Sequence, residues 1–149
     1  MGVKIIIKNK KAFHGFEIID KIEAGVSLVG TEVKALRDGR ANLTDGWVDF
    51  DGYDVWLKEV HIGHFSHGNR NNHAEKRARR LLLNKKEIVK LSHLVASKGM
   101  TVIPIALYFK NSRIKVEIAT ARGKKQYDKR EANKQKDVKK KLRRVLKER

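Results

Sequence analysis

The chain has 149 residues, enough for one domain with its own hydrophobic core. It contains no cysteine, which excludes disulfide bonds, thiolate metal sites and cysteine nucleophiles. Lys and Arg number 35 against 17 acidic residues, so the net charge of +18 favours a nucleic-acid partner, with an anionic membrane surface or no specific partner as alternatives.

The N-terminal part of the chain predicts a strand and no membrane segment. The first apolar run, at residues 5–7, is too short for a signal sequence or a membrane span. We therefore expect a soluble cytoplasmic protein without a membrane partner. Residues 12–28 predict an extended segment that is interrupted by a turn at residues 23–25.

The middle of the chain alternates between helix and strand signals. Residues 31–38 predict a helix that ends at Gly39. Residues 47–50 and 55–60 flank an Asp-Gly pair, which predicts a β-hairpin. The following basic segment, residues 74–83, is predicted to be helical.

The second half of the chain contains the clearest local signals. Asn84 and Glu87 form the pattern of a capping box, and the helix that they begin is predicted to end at Gly99. Residues 101–110 and 114–118 alternate between apolar and polar side chains, as two antiparallel strands do. In total, about six short strands with a few helices predict a mainly β fold with flanking helices, in the form of a closed, OB-like β-barrel.

The last 28 residues differ in composition from the rest. Residues 122–149 carry 14 basic and 4 acidic side chains and few large apolar ones, so we place the folded domain at residues 1–121 and a basic tail at residues 122–149. A narrow apolar stripe is formed by Val138, Leu142, Val145 and Leu146. We expect the tail to be disordered when free and helical on a partner; a permanently solvated tail is the alternative.

The histidine residues raise the question of a metal site. Four histidines lie close together in the sequence: His61, His64, His67 and His73. Metal-binding spacing such as HExxH is absent, so RNA-facing or structural histidines are favoured and we predict no metal and no cofactor. A nucleophile elbow, a phosphate loop and the GxGxxG pattern are also absent, which favours a binding protein over an enzyme; a metal-dependent nuclease is the least favoured alternative.

A basic patch follows the histidines. Its amide, imidazole and guanidinium groups suit RNA edges, 2′-hydroxyls and phosphates. It comprises His67, Asn69, Arg70, Asn71, Lys76, Arg77, Arg79 and Arg80. The alternative is a solvated helix face.

Five aromatic residues could stack on nucleobases. They are Trp47, Tyr53, Trp56, Phe65 and Tyr127. Core packing is the favoured use of the first four, whereas Tyr127 lies in the basic tail, where no core is available, and is a candidate for stacking.

Seven motifs in order along the chain resemble the SsrA-binding protein family. They are EAG at 23–25, GTEVKALR at 30–37, GRANL at 39–43, GNR at 68–70, RRLLL at 79–83, LYFKN at 107–111 and ARGKKQYDKR at 121–130. The resemblance covers nearly the whole chain. It implies an OB-fold barrel with flanking helices and no catalytic activity.

The resemblance also implies a function in trans-translation. Members of this family bind the tRNA-like domain of transfer-messenger RNA and enter stalled ribosomes together with elongation factor Tu. Their basic tail then occupies the empty messenger channel at the decoding centre. A generic OB-fold RNA-binding factor, of ribosomal or initiation type, is the alternative.

The basic patch and the family resemblance together provide candidate residues for these roles. For RNA binding they are Glu23, Lys34, Arg37, His67, Asn69, Arg70, Asn71, Arg77, Arg79, Arg80, Leu82, Lys110 and Lys115. For ribosome binding by the tail they are Gly123, Lys124, Lys125, Tyr127, Asp128, Lys129 and Arg130. Within the first set, Lys115 is expected to meet phosphate, Glu23 to order a loop or accept a hydrogen bond, and Leu82 to shape the surface.

Overall fold

The structure is a computed structural model that describes residues 3–65 and 72–123. This part of the chain forms nine strands and three helices. The strands are β1 (Val3–Lys8), β2 (Phe16–Val26), β3 (Ala41–Asn42), β4 (Trp47–Asp51), β5 (Asp54–Lys58), β6 (His61–Ile62), β7 (Arg79–Leu82), β8 (Thr101–Lys110) and β9 (Arg113–Gly123), and the helices are α1 (Lys10–Gly15), α2 (Gly30–Arg37) and α3 (Lys85–Lys98).

Seven of these strands form one antiparallel sheet in the order β1-β8-β9-β2-β7-β5-β4, and β3 pairs with β6. The sheet is curled, as two close approaches show. Strand β4 lies against β8, and Gly46, just before β4, is so close to Pro104 of β8 that an added Cβ would lie 2.7 Å from Cγ of Pro104. Within residues 3–65 and 72–123, no hydrogen-bonded pairing joins the two ends of the sheet. The predicted mainly β fold with helices is confirmed, and the predicted closure of the barrel is not.

Local signals place α3 and two hairpins as expected. Oδ1 of Asn84 accepts a hydrogen bond from the backbone N of Glu87 at 2.9 Å, and Oε1 of Glu87 accepts one from the backbone N of Asn84 at 3.1 Å. Gly99 ends the helix with a φ of 64°. The hairpin of β4 and β5 turns at Gly52, and that of β8 and β9 turns at Asn111 and Ser112.

Strand β8 differs from the simple alternation in its sequence. A register shift between Pro104 and Ala106 separates its side chains into two groups. Ile103 and Ile105 pack in a small cluster with α1, whereas Leu107 joins the main core. The bulge thus lets one strand cover two clusters, because an extra residue changes the face that the following side chains take.

The extended segment predicted at residues 12–28 begins later than expected, because residues 12–15 belong to helix α1, whose first turn is capped by the side chain of Asn9.

Two other predicted elements are also wrong. Residues 74–83 contain strand β7 instead of a helix, and β7 pairs with both β2 and β5. The turn predicted at residues 23–25 is absent, because β2 continues to Val26 and pairs with β9 as far as Gly25. In both places cross-strand pairing overrides the local preference of the sequence.

Candidate nucleic-acid interface

The register of four strands places several predicted RNA-binding residues on one surface. Residues directly opposite each other on antiparallel strands project from the same face of the sheet. Tyr108 of β8 is opposite Lys115 of β9, Lys115 is opposite Gly25 of β2, and Gly25 is opposite Leu82 of β7. This face points away from the core, because the alternate residues Ala24 and Leu81 are buried.

Residues two positions along each strand extend the same face. We use the term outer face for the surface formed by Glu23, Arg80, Leu82, Lys110 and Lys115, together with Tyr108, which is on the same side of the sheet but is buried. Residues i and i+2 of a strand share a face, which adds Glu23, Arg80 and Lys110 to the residues joined by the register. Five predicted RNA-binding residues from four strands therefore lie on one surface.

A compact ionic cluster lies on the outer face around Glu23. The hydroxyl of Tyr108 donates to Oε2 of Glu23 at 2.5 Å, and Nζ of Lys110 lies 3.3 Å from both carboxylate oxygens. The hydrogen bond from Tyr108, together with the charges of Lys110 and Lys115, holds the pKa of Glu23 below its ordinary value against the opposing effect of burial. Glu23 is therefore ionised at neutral pH and orients Tyr108 and Lys110.

An exposed leucine lies beside this cluster. The Leu82 residue is 57% exposed. A Cβ added to Gly25 would lie 3.2 Å from the Cβ of Leu82, so the missing side chain at Gly25 leaves room for Leu82 against the sheet. The leucine thus shapes the outer face instead of filling the core.

A second carboxylate cluster lies under α2 and is buried. Oε2 of Glu32 accepts from Nε of Arg79 at 2.6 Å, and Oε1 accepts from Arg77 at 2.6 Å and from the backbone N of Val29 at 2.9 Å. Burial opposes ionisation of Glu32, but the hydrogen bonds from Arg77 and Val29 and the charge of Arg79 outweigh it and lower its pKa. Burial also lowers the pKa of Arg79, against the opposing charge of Glu32.

The burial of Arg79 corrects one prediction. Its side chain is completely buried, and it donates to the carbonyl oxygens of Val60 at 2.5 Å and Glu75 at 3.0 Å as well as to Glu32. A guanidinium with no exposed surface cannot contact RNA, so the assignment of Arg79 as an RNA-binding residue is wrong. The neighbouring Arg80 points to the outer face and is about half exposed.

Other predicted residues lie around α2. Lys34 and Arg37 are exposed on this helix, and Arg77 is partly exposed beside it. Nζ of Lys34 lies 5.3 Å from the centre of the Phe65 ring. The side chain of Asn72 exchanges two hydrogen bonds, of 2.8 and 2.9 Å, with the backbone of Phe65, so the two flanks of the predicted basic loop are joined next to α2.

The predictions for the loop and the tail fall outside the residues that the structure describes. These predictions concern His67, Asn69, Arg70 and Asn71 of the loop, and Lys124, Lys125, Tyr127, Asp128, Lys129 and Arg130 of the tail. Gly123 is described, and it ends β9 opposite Phe16. The amphipathic pattern at residues 138–146 also lies outside the described part.

Two of the described histidines from the predicted group, His61 and His73, have protein partners. His73 is buried, with Nε2 2.8 Å from the carbonyl oxygen of Ile62 and Nδ1 2.9 Å from the hydroxyl of Thr31. His61 pairs with Glu75 at 3.3 Å. No group of three potential metal ligands occurs within residues 3–65 and 72–123.

The structure places several aromatic residues differently from the sequence-based expectation. The Trp47 and Tyr53 residues are 39% and 61% exposed, so the prediction that they pack in the core is wrong. The alternation in β4 could have indicated this, because Val48 and Phe50 face the core and put Trp47 on the opposite side. Tyr108 was not among the predicted site residues, and only the fold brings it to Glu23.

None of the helices in the described part of the chain is long and apolar enough to cross a membrane. This finding concerns α1, α2 and α3, which contain 6, 8 and 14 residues.

Comparison with known proteins gives consistent matches along the chain. The family model described as "SmpB protein" matches residues 6–148. An SsrA-binding protein of Streptomyces coelicolor is 50% identical over 145 residues, which is 97% of this chain and 91% of the relative. Another, of Geobacter sulfurreducens, is 49% identical over 148 residues, covering 99% and 97% of the two chains.

A solved structure shows that the similarity extends to the fold. A chain from the structure named "tmRNA-SmpB: a journey to the center of the bacterial ribosome" is 37% identical to this chain, with a TM-score of 0.72. The match covers 91% of this chain and 96% of the other. The chain therefore belongs to the SmpB family of SsrA-binding proteins.

Proposed function

We propose that this chain binds transfer-messenger RNA, the SsrA RNA, and acts with it in ribosome rescue by trans-translation. The observation that carries the proposal is the outer face, where five residues predicted to bind RNA, among them Glu23, Leu82 and Lys115 from the family resemblance, come together from four separate strands. The names of the relatives support the choice of RNA, since they are called SsrA-binding proteins. The net charge of +18 supports a polyanionic ligand.

The groups on the outer face have different proposed roles in RNA binding. Lys110 and Lys115 supply positive charge for phosphates. Glu23 does not meet phosphate itself, because a carboxylate repels it; instead it holds Lys110 and the Tyr108 hydroxyl in fixed positions. Leu82 offers an apolar contact beside the charged groups, and Arg80, which is paired with Asp54, continues the outer face towards β5.

The surface around α2 is a second part of the proposed interface. Lys34, Arg37 and Arg77 carry its charge in the described part of the chain. We assign to the same interface the loop residues His67, Asn69, Arg70 and Asn71, whose amide, imidazole and guanidinium groups suit RNA. The support is that Phe65 and Asn72, which flank this loop, lie close together at α2.

The tail completes the proposed function. We assign residues 122–149 to ribosome binding: residues 122 and 123 end β9, and the residues after them enter the empty messenger channel. The proposed contacting residues are Gly123, Lys124, Lys125, Tyr127, Asp128, Lys129 and Arg130. The composition of residues 122–149 supports this, since their 14 basic side chains suit an RNA-lined channel. Elongation factor Tu belongs to the proposed delivery complex.

We also propose that the body is an OB-like closed barrel. The approach of β4 to β8 supports this closure.

A competition titration tests the RNA partner. Labelled transfer-messenger RNA is titrated with the full chain, and unlabelled bulk transfer RNA is then added in excess. We expect the complex to persist, since its affinity comes from a surface fitted to one folded RNA as well as from charge. If bulk transfer RNA displaces the labelled RNA as readily as unlabelled transfer-messenger RNA does, the chain is a generic RNA binder and the proposal fails.

A truncation tests the division between body and tail. Removing residues 124–149 leaves β9 complete to Gly123 and leaves the outer face intact. We expect the truncated chain to bind free transfer-messenger RNA but to lose tagging of peptides on stalled ribosomes in a purified translation system. The full chain is the control, and normal tagging by the truncated chain would contradict the role of the tail.

A further inference from the structure

Three aromatic rings lie on the solvent side of the β4–β5 hairpin, and each has a cation over it. We call Trp47, Tyr53 and Trp56 the aromatic platform. Nζ of Lys58 lies 5.6 Å from the ring centre of Trp47, and the Arg80 guanidinium carbon lies 5.9 Å from that of Trp56. Lys85, at the start of α3, lies 5.5 Å from the ring of Tyr53.

The rings of the aromatic platform are not needed by the core. The opposite side of the hairpin supplies the core contacts, through the buried side chains of Val48, Val55 and Leu57. Trp47 and Tyr53 are exposed to solvent by 39% and 61%. Large exposed rings grouped on one surface are uncommon unless they bind a partner.

The register makes the aromatic platform continuous with the outer face. Trp47 is opposite Lys58, and Trp56 is opposite both Asp49 on one side and Arg80 on the other. Arg80 therefore lies between the ring of Trp56 and the next outer residue of its own strand, Leu82. A ligand bound along the outer face would reach the platform without crossing an edge of the sheet.

Two of the cations on the platform are neutralised by carboxylates. Nζ of Lys58 lies 3.0 Å from Asp49, and Arg80 forms an ion pair with Asp54. The platform thus offers flat rings in fixed positions with little local charge, in a protein whose net charge is +18. A phosphate would be repelled by Asp49 and Asp54, whereas the face of a neutral nucleobase would stack on the rings and on the guanidinium of Arg80.

We propose that the aromatic platform stacks unpaired nucleobases of the RNA whose backbone is held by Lys110 and Lys115. This inference rests on the proposed function, since it adds a base-binding site to the same RNA interface. The chemical class of the ligand is an unpaired nucleotide segment of a folded RNA. The outer face binds the phosphates of this RNA, and the aromatic platform binds its unpaired bases.

The chain provides a direct reporter for this site. It contains two tryptophans, Trp47 and Trp56, and both belong to the platform. The intrinsic tryptophan fluorescence of the full chain therefore reports on these rings, and stacking with a nucleobase quenches it. We expect titration with transfer-messenger RNA to quench the signal in parallel with the anisotropy of the labelled RNA. The variants Trp47→Phe and Trp56→Phe assign the quenching to each ring.

Affinity measurements distinguish stacking from charge. Trp56→Ala should weaken binding by roughly 5- to 150-fold, the range for loss of one stacked base. The log–log slope of affinity against salt should stay unchanged, because no phosphate contact is lost. Phe13→Ala is the matched control, since Phe13 is also exposed and has a lysine, Lys21, 5.6 Å from its ring, but it lies on α1 away from the platform.

The outcomes separate this inference from the proposed function. RNA binding seen by anisotropy, with unchanged tryptophan fluorescence and with full affinity in Trp56→Ala, overturns the inference and leaves the proposed function intact. Absence of any RNA binding by anisotropy overturns both. Quenching that is assigned to either tryptophan, together with weaker binding by Trp56→Ala but not by Phe13→Ala, supports the platform as a base-binding site.

Discussion

Two carboxylates of this protein are bound by cations, and their surroundings give them opposite roles. Glu32 is completely buried and is held by Arg77 and Arg79 at 2.6 Å. Glu23 lies at the surface, with Lys110 at 3.3 Å and the Tyr108 hydroxyl at 2.5 Å. Both have a lowered pKa, so both are ionised at neutral pH.

The difference in burial decides which cluster is available for binding. The charge of Arg79 in the Glu32 cluster is used internally, because an unpaired charge inside the protein would be strongly unfavourable, and only the partly exposed Arg77 of this cluster reaches the surface. The Lys110 side chain of the Glu23 cluster remains in contact with water, where an ion pair contributes little to stability and leaves the ammonium accessible to a ligand. The same side-chain chemistry therefore stabilises the fold in one region and presents charge to a ligand in the other.

Removing the buried charge should have the largest effect. Glu32→Gln keeps the shape of the side chain but leaves the buried Arg79 without its counter-charge, so we expect the free energy of unfolding to fall by about 3–5 kcal/mol. Denaturant unfolding followed by circular dichroism measures this. Glu23→Gln is the matched control and should change stability by less than about 1 kcal/mol. Equal losses in the two variants would contradict the contrast between the clusters.

The pH dependence of unfolding provides a second measure of the same variant. The pKa of Glu32 in the folded state is below its ordinary value of 4.5, so its ionisation stabilises the fold fully above that pH. This contribution is lost as the pH falls below 4.5 and through the folded-state pKa. The stability difference between the original chain and Glu32→Gln should therefore narrow in acid. A difference that stays constant down to pH 3 would show that Glu32 is not the titrating group.

Removing a surface charge should have the smallest effect. It should weaken RNA binding and leave the free energy of unfolding unchanged. Lys115→Gln removes one proposed phosphate contact, so affinity for transfer-messenger RNA should fall roughly fivefold near 0.1 M salt, and the log–log salt slope should decrease by about 0.7–0.9. Filter binding over a range of salt concentrations measures both. Unfolding should stay unchanged, because Lys115 is opposite Gly25 on the outer face. An unchanged salt slope would mean that Lys115 does not meet phosphate.

The elements that were predicted correctly are those with strong local signals. Helix α3 follows from the pairing of Asn84 with Glu87 and from the stop at Gly99, all of which are close in sequence. The sequence does not indicate strand β7, because the strand has only four residues, Arg79–Leu82, and Arg and Leu locally favour a helix. It becomes a strand only because β2 and β5 lie on either side of it and supply its hydrogen bonds.

The candidate site was predicted in part for the same reason. The motifs identified Glu23, Leu82 and Lys115, but the partner of Glu23, Tyr108, is 85 residues away in the sequence. The aromatic residues Trp47 and Tyr53 were expected in the core, because large rings are usually buried. Their exposure depends on which face of the hairpin turns towards β8, and composition does not show this.

The sequence by itself determined the attraction to a polyanion, the mainly β character, the bounds of the strongest helix and the family. These properties depend on composition, on neighbouring residues or on motifs read in order. Only the tertiary structure decided that Arg79 is buried and Arg80 exposed, although they are adjacent and alike. The reason is that a strand turns successive side chains to opposite faces, and only the packing of α2 and the neighbouring strands determines which face becomes the core.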